Sequence, residues 1–169
     1  WILMYHRILP VSDPRYHNEE PGMIVEPETF REHVRQLKQL FTIIPLSEWI
    51  DRQRNGQSVP TNSCAITFDD GWADNYQYAF PIIQQEQVPT TLFAVSDMIG
   101  SNRQFWPNRI SNLLHAKEIN QLRILPWLAP FLPEAEQSGF SPDQLASIIH
   151  SLKNSPDSTI INWLDDAEE

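Results

Sequence analysis

The stretch S-C-A-I-T-F-D-D-G-W-A-D-N, Ser63–Asn75, decides how the fold is predicted. Its first half, 63–68, is an apolar and β-branched run that predicts a buried strand. Asp69 and Asp70 follow, and their side chains would face opposite sides of the sheet if the strand continued. Gly71 comes next, and a glycine lets the backbone turn away. We therefore predict that the strand ends at this pair and that both carboxylates line one cavity.

The segments around this strand alternate between strand and helix patterns. Trp1–Tyr5 and Pro89–Val95 are short apolar runs typical of buried strands. Pro27 begins an amphipathic helix at its first position, and Ser47 is the expected cap of a second helix. Buried strands that alternate with helices predict an α/β fold with a parallel sheet, whose ligands bind at the carboxyl ends of the strands.

The last third of the chain has a different pattern. Residues 105–116 are predicted to be helical, and two later helices have clear start signals. One is Ser141-Pro142-Asp143-Gln144, a capping box with a proline at the first helical position, and the other is Ser155-Pro156-Asp157. Because the length suits one domain, residues 1–169 are predicted to form a single domain with a mostly helical final third.

Composition excludes several functions. The net charge of −10 and the twelve scattered basic residues argue against a nucleic-acid partner. Cys64 is the only cysteine, which leaves no intramolecular disulfide and no cysteine-based zinc site. No run approaches the length of a transmembrane segment, and no signal peptide is present in these residues.

The segment T-F-D-D-G-W, residues 67–72, resembles the first signature motif of the polysaccharide deacetylases, the NodB-homology family of metal-dependent carbohydrate esterases. Further similarity covers most of residues 1–116, in the stretches L-M-Y-H-R (3–7), D-N (74–75), A-F-P-I (79–82), P-T-T-L-F (89–93) and F-W with Arg109. The resemblance implies a partial, distorted (β/α)7 barrel with a helical insertion at about 105–169. It also implies removal of acetyl groups from N-acetylated sugars.

The resemblance assigns roles by position. Asp69 matches the catalytic base and Asp70 a ligand of the metal, expected to be Zn²⁺ or a similar divalent ion. His6, three residues after Leu3, takes the place of the family's Leu-x-His histidine with a spacing that differs by one residue, and would be the general acid. An imidazole suits that role because its ordinary pKa lies near neutral pH.

The predicted partner is an N-acetylated polysaccharide or oligosaccharide. Trp72, directly after the acid pair, and Trp106 are the candidate stacking residues for sugar rings, and Arg7 is a candidate contact for a carboxylate. The compartment stays open between the bacterial cell envelope and the cytoplasm.

One part of the family pattern is missing. The resemblance calls for two histidines four residues apart, in a His-Ser/Thr-x-x-His motif, and no two of the five histidines here have that spacing. Either the chain stops before this motif, and is inactive as it stands, or the protein is a metal-free relative that only binds carbohydrate. An incomplete barrel would also favour a homo-oligomer. A glycoside hydrolase is the other enzyme alternative, and an ordinary Asp-Gly turn is the structural one.

Overall fold

The computed structural model describes residues 1–20, 22–133 and 139–168. The chain divides into two compact units. The first contains Trp1–Tyr16 and Gly22–Ser101, and the second contains His17–Pro21 and Asn102–Glu169. The longer segment of the second unit begins at Asn102, close to the predicted start of the helical insertion at about residue 105.

The first unit is built on a parallel sheet. Its central strand is β5 (Ser63–Phe68), which is buried along its whole length. The strand β1 (Ile2–Tyr5) pairs with β5 in parallel, as do β4 (Thr42–Ile43) and β6 (Thr91–Leu92). The short strands β2 (Arg7–Ile8) and β3 (Ile24–Val25) form a separate parallel pair. The predicted α/β fold with a parallel sheet is therefore confirmed.

Helices connect these strands. Helix α1 (Pro27–Leu40) begins at Pro27 as predicted and buries Phe30, Val34 and Leu37. Helix α2 (Leu46–Arg54) follows β4, and α3 (Phe80–Glu86) continues a π-helical turn, Asn75–Ala79. The core between α1 and the sheet contains an aromatic cluster in which the rings of Tyr5, Phe30 and Phe68 lie 5.0–5.7 Å apart.

The second unit is helical in its described residues. It contains α4 (Trp106–Ala116), α5 (Ile119–Leu122), α6 (Pro142–Leu152) and α7 (Asp157–Glu168). The capping box predicted at the start of α6 is present, since Ser141 Oγ accepts from the amide of Gln144 and the Gln144 side chain accepts from the Ser141 amide. Leucine and isoleucine side chains of α4, α6 and α7 form its core.

Three local predictions are wrong. The strand β1 is not buried along its length, because Ile2 and Met4 are more than half exposed. The second helix begins at Leu46, one residue before Ser47, so that serine is not its cap. The strand predicted over Pro89–Val95 is reduced to the two residues that reach β5.

In the part of the chain that the structure describes, no helix has the length and apolar character needed to span a membrane.

Candidate active site

The two carboxylates of the 63–75 stretch follow the last residue of β5. Asp69 donates its amide to the carbonyl oxygen of Tyr5, 3.0 Å away, which extends the β1–β5 ladder by one bond. Asp70 then has a φ of 71° and Gly71 a φ of 75°. Two consecutive residues in the left-handed region turn the chain sharply away from the strand direction. The predicted turn is confirmed, and it begins at Asp70, one residue before the glycine.

The position of Gly71 leaves no room for a side chain. A Cβ atom there would come within 3.1 Å of both the Cα and the Cβ of Ala94, just after β6. Glycine thus serves both the positive φ and the close approach of the two chain segments. The turn that carries the acids is held against the neighbouring strand end.

His6 lies at the same edge of the sheet as the acid pair. Tyr5 and Phe68 are register partners in the parallel β1–β5 pair, so His6 and Asp69 are the next residues along each strand. Neighbouring strands are about 4.8 Å apart, which makes the two backbones direct neighbours. Both residues are half-buried, and neither side chain has a hydrogen bond or ion pair among the described residues.

Asp70 is also half-buried, but its carboxylate has a partner. The indole Nε1–H of Trp72 donates to Asp70 Oδ2 at 3.2 Å. The two adjacent acids therefore have different surroundings, since one carboxylate is held by the next aromatic side chain and the other is not.

Arg7 does not reach toward solvent. Its residue is 3% exposed, and its guanidinium donates to the carboxylate of Asp74 while lying 4.1 Å from the centre of the Trp72 ring. These contacts show a buried ion pair beneath the turn, whereas the predicted contact with substrate stays a prediction. Sequence reasoning gave Asp74 no role, because its partner lies 67 residues earlier in the chain.

Trp106 belongs to the helical unit, where its Nε1–H donates to Asp157 Oδ1 at 3.1 Å. Its predicted contact with sugar stays a prediction. Asn75 is a further residue that the sequence did not single out. Its side-chain amide is buried and has no hydrogen-bond partner among the described residues. No signal in the sequence marks that state, since an asparagine at the start of a helical turn normally predicts a cap.

The described residues do not form a complete metal site. Across residues 1–20, 22–133 and 139–168, no group of three or more His, Cys, Asp or Glu side chains is placed to hold an ion. A catalytic zinc site takes three protein ligands in most enzymes. Asp70 supplies one carboxylate, and with no further ligands grouped around it the residues present do not fit a bound divalent ion by themselves.

A turn with two acids at the carboxyl end of a central parallel strand defines this unit as an α/β protein with a candidate acid–base site. The family model for polysaccharide deacetylase matches residues 56–124, which include that turn and the strand beside it. The resemblance seen in the sequence is thereby confirmed, and this part of the chain is similar to the polysaccharide deacetylases.

One curated protein agrees with this match. The Bacillus subtilis (strain 168) protein named "Putative polysaccharide deacetylase YxkH" is 31% identical over 104 residues, which are 59% of this chain and 33% of that protein. Among solved structures, IcaB from Ammonifex degensii has a TM-score of 0.52 at 23% identity, covering 64% of this chain and 46% of that one, which supports the fold. The Streptococcus pyogenes deacetylase PplD, solved in complex with acetate, has a TM-score of 0.49 at 22% identity. The match covers 64% of this chain and 49% of that one. This chain spans about one third of the length of YxkH.

Proposed function

We propose that this chain is part of a metal-dependent deacetylase that hydrolyses N-acetyl groups on a polysaccharide or amino sugar. The observation that carries the proposal is the turn at Asp70 and Gly71, which follows β5 directly and leaves Asp69 beside His6 at the carboxyl end of the sheet. Ligands of parallel α/β proteins bind at that end.

Hydrolysis of an amide needs one group that accepts a proton from the attacking water and one that gives a proton to the leaving amine. In the proposal Asp69 is the base, because its carboxylate is half-buried and has no partner among the described residues. His6 is the acid on the neighbouring strand end. The C–N bond breaks, the water oxygen stays on the acetyl carbon, and the products are acetate and a free amino sugar.

Asp70 is proposed as a metal ligand on the strength of the family resemblance. Since the described residues supply no complete site, the remaining ligands, two histidines in the family pattern, must come from outside them. The two proton transfers of the proposal involve only Asp69 and His6.

The fold proposed for the whole domain is a distorted (β/α)7 barrel, of which this chain provides the first part. The four strands of the sheet that contains β5 run parallel with helices between them, and the similarity to IcaB agrees with that arrangement. The proposed insertion at about 105–169 lies within the segment Asn102–Glu169 of the helical unit, which supports this proposal.

The substrate proposed is an N-acetylated oligosaccharide, with Trp72 as the first stacking candidate. Trp72 is half-buried and its indole donates to Asp70 Oδ2 at 3.2 Å, which keeps the ring beside the proposed reacting groups. Trp106 is retained as a second candidate on the helical unit.

A second function is a carbohydrate-binding relative without catalysis. The observation that favours it is the lack of a three-ligand group among the described residues. A glycoside hydrolase is less well supported, because its two carboxylates act from opposite sides of a sugar ring about 5–9.5 Å apart, whereas Asp69 and Asp70 are adjacent on one turn.

The test is acetate release from N-acetylglucosamine oligomers, measured for this chain and for the full-length product of the gene that encodes it. We expect release by the full-length product, lost on chelation and in Asp69→Asn, and little or none by this chain. Release that persists in both conditions contradicts the mechanism. Binding of oligomers without any release by the full-length product supports the non-catalytic relative instead.

A further inference from the structure

A buried ion pair lies directly beneath the turn that carries the acids. Arg7 Nε and Nη2 donate to Asp74 Oδ2 at 3.1 and 2.8 Å, and the amide of Ile8 donates to Asp74 Oδ1 at 3.0 Å. The Arg7 side chain is 4% exposed and that of Asp74 is 0% exposed. The Asp74 carboxylate thus accepts three hydrogen bonds away from solvent and fixes the guanidinium in one orientation.

The same guanidinium lies against the face of Trp72, with Cζ 4.1 Å from the ring centre. A cation in this position is attracted to the indole face. The edge of that indole in turn donates to Asp70 Oδ2 at 3.2 Å. Contacts therefore run without interruption from Asp74 through Arg7 and Trp72 to Asp70.

Stability alone does not account for such a pair. The cost of removing two charges from water offsets most of their attraction, and apolar side chains of similar size often replace a buried ion pair without loss. What the pair provides is a fixed geometry, because the planar guanidinium and the indole stack in one arrangement. That geometry matters at Asp70, whose φ of 71° is uncommon for a residue with a side chain.

We propose that Arg7 and Asp74 are positioning residues that fix the Trp72 indole so that its Nε1–H holds the Asp70 carboxylate in place. This inference rests on the proposed function for the importance of Asp70, but the contact chain can be tested without any activity. The proposal assigns Arg7 a positioning role beneath the turn, and it assigns a role to Asp74, for which the sequence suggested none.

The test is the ¹H–¹⁵N spectrum of the tryptophan Nε1–H groups in this chain, with the Trp72 signal identified by its loss in Trp72→Phe. Asp70→Asn gives the position of that signal when the carboxylate acceptor is lost. In the Arg7→Met/Asp74→Asn double variant, which leaves no unpaired buried charge, we expect the Trp72 signal to move toward that position and its exchange with water to increase. A Trp72 signal unchanged in the folded double variant overturns the proposal.

Arg109→Met is the matched control, since it removes an arginine that pairs with Asp165 and Glu168 in the helical unit. The Trp72 signal must stay in place there, and movement equal to that in the double variant overturns the proposal too. In the full-length product we expect the double variant to lower kcat/KM about 100-fold, the order expected for a misplaced catalytic group. If the unaltered full-length product releases no acetate, the proposed function fails, and the indole signals still decide the positioning role.

Discussion

Gly71 lies so close to Ala94 that a methyl group on the glycine would come within 3.1 Å of the Ala94 Cα and Cβ. Few Cβ contacts in proteins are that short, and the φ of 75° is unfavourable for any L side chain. The turn after β5 is therefore limited by two independent constraints at one residue.

Gly71→Ala is expected to reduce the free energy of unfolding by about 2–3 kcal/mol, because the positive φ and the crowding both oppose the methyl group. Gly56→Ala is the matched control, since Gly56 has a φ of 64° and a methyl group on it would have no neighbour within 4 Å. It should cost only about 1 kcal/mol from the backbone conformation. Urea unfolding measures both, and equal losses would contradict the crowding argument.

Gln87 ends helix α3 in a left-handed conformation with a φ of 54°, and its amide donates to the carbonyls of Ile83 and Gln84. Glycine adopts this conformation without a Cβ clash and is the usual residue at such helix ends. Gln87→Gly is expected to raise the free energy of unfolding by about 0.5–1 kcal/mol. Gln84→Gly, on the exposed side of the same helix, should lower it by about 1 kcal/mol. A loss of similar size in both variants in urea unfolding would show that the conformation of Gln87 is not strained.

Much of the candidate site could be predicted because its signals are local. The apolar run of β5, the acid pair and Gly71 are contiguous. The strand could therefore be predicted from the apolar run, and its turn from the conformational freedom of glycine. The same holds for helix α1, with its proline start, and for the capping box at Ser141. Helix α1 and the capping box satisfy their backbone groups with residues a few positions away, whereas β5 is recognised from its contiguous apolar run.

The parts that could not be predicted depend on distant residues. The sequence marks Arg7 as a candidate contact for a substrate carboxylate and does not reveal its buried partner, because Asp74 is 67 residues later in the chain. The strand β1 looked buried because Ile2 and Met4 are apolar, but burial depends on what packs against that edge, which the run itself does not state. The length of β6 is set by how far it pairs with β5, so an apolar run of seven residues gave a strand of two.

The carboxyl group of Asp13 makes the free energy of unfolding depend on pH under acid conditions. Hydrogen bonds from the Arg15 guanidinium and amide, with a smaller contribution from the Tyr78 hydroxyl, hold the pKa of the Asp13 carboxyl well below its ordinary value of 3.8. A lowered folded-state pKa adds stability above pH 3.8, and this stability is lost as the pH falls through the folded-state value. Arg35 and Lys38 lower the pKa of Glu86 in the same direction.

We therefore expect the urea midpoint of the unaltered chain to fall as the pH drops below about 4, with a smaller fall in Asp13→Asn. Arg15→Gln should reproduce the smaller fall, because it removes the first cause of the shift. If Asp13→Asn loses stability on acidification as steeply as the unaltered chain, the Asp13–Arg15 pair contributes nothing to the loss of stability at low pH.

Zinc binding is the remaining prediction, and it separates the ligands in this chain from those the family pattern requires. A ligand that binds only the folded state raises its melting temperature, and a zinc site needs three or more protein ligands to bind tightly. Asp70 is the one ligand proposed among the described residues, so we expect added Zn²⁺ to leave the Tm of this chain unchanged, in the original and in Asp70→Asn. The full-length gene product should gain Tm with Zn²⁺, and Asp70→Asn should remove that gain. Asparagine tolerates the left-handed backbone of position 70, so this variant is expected to fold. A Zn²⁺-dependent rise in this chain that Asp70→Asn abolishes would support Asp70 as a ligand but contradict the proposal that the other ligands lie outside this chain, because it would place a complete site within these 169 residues.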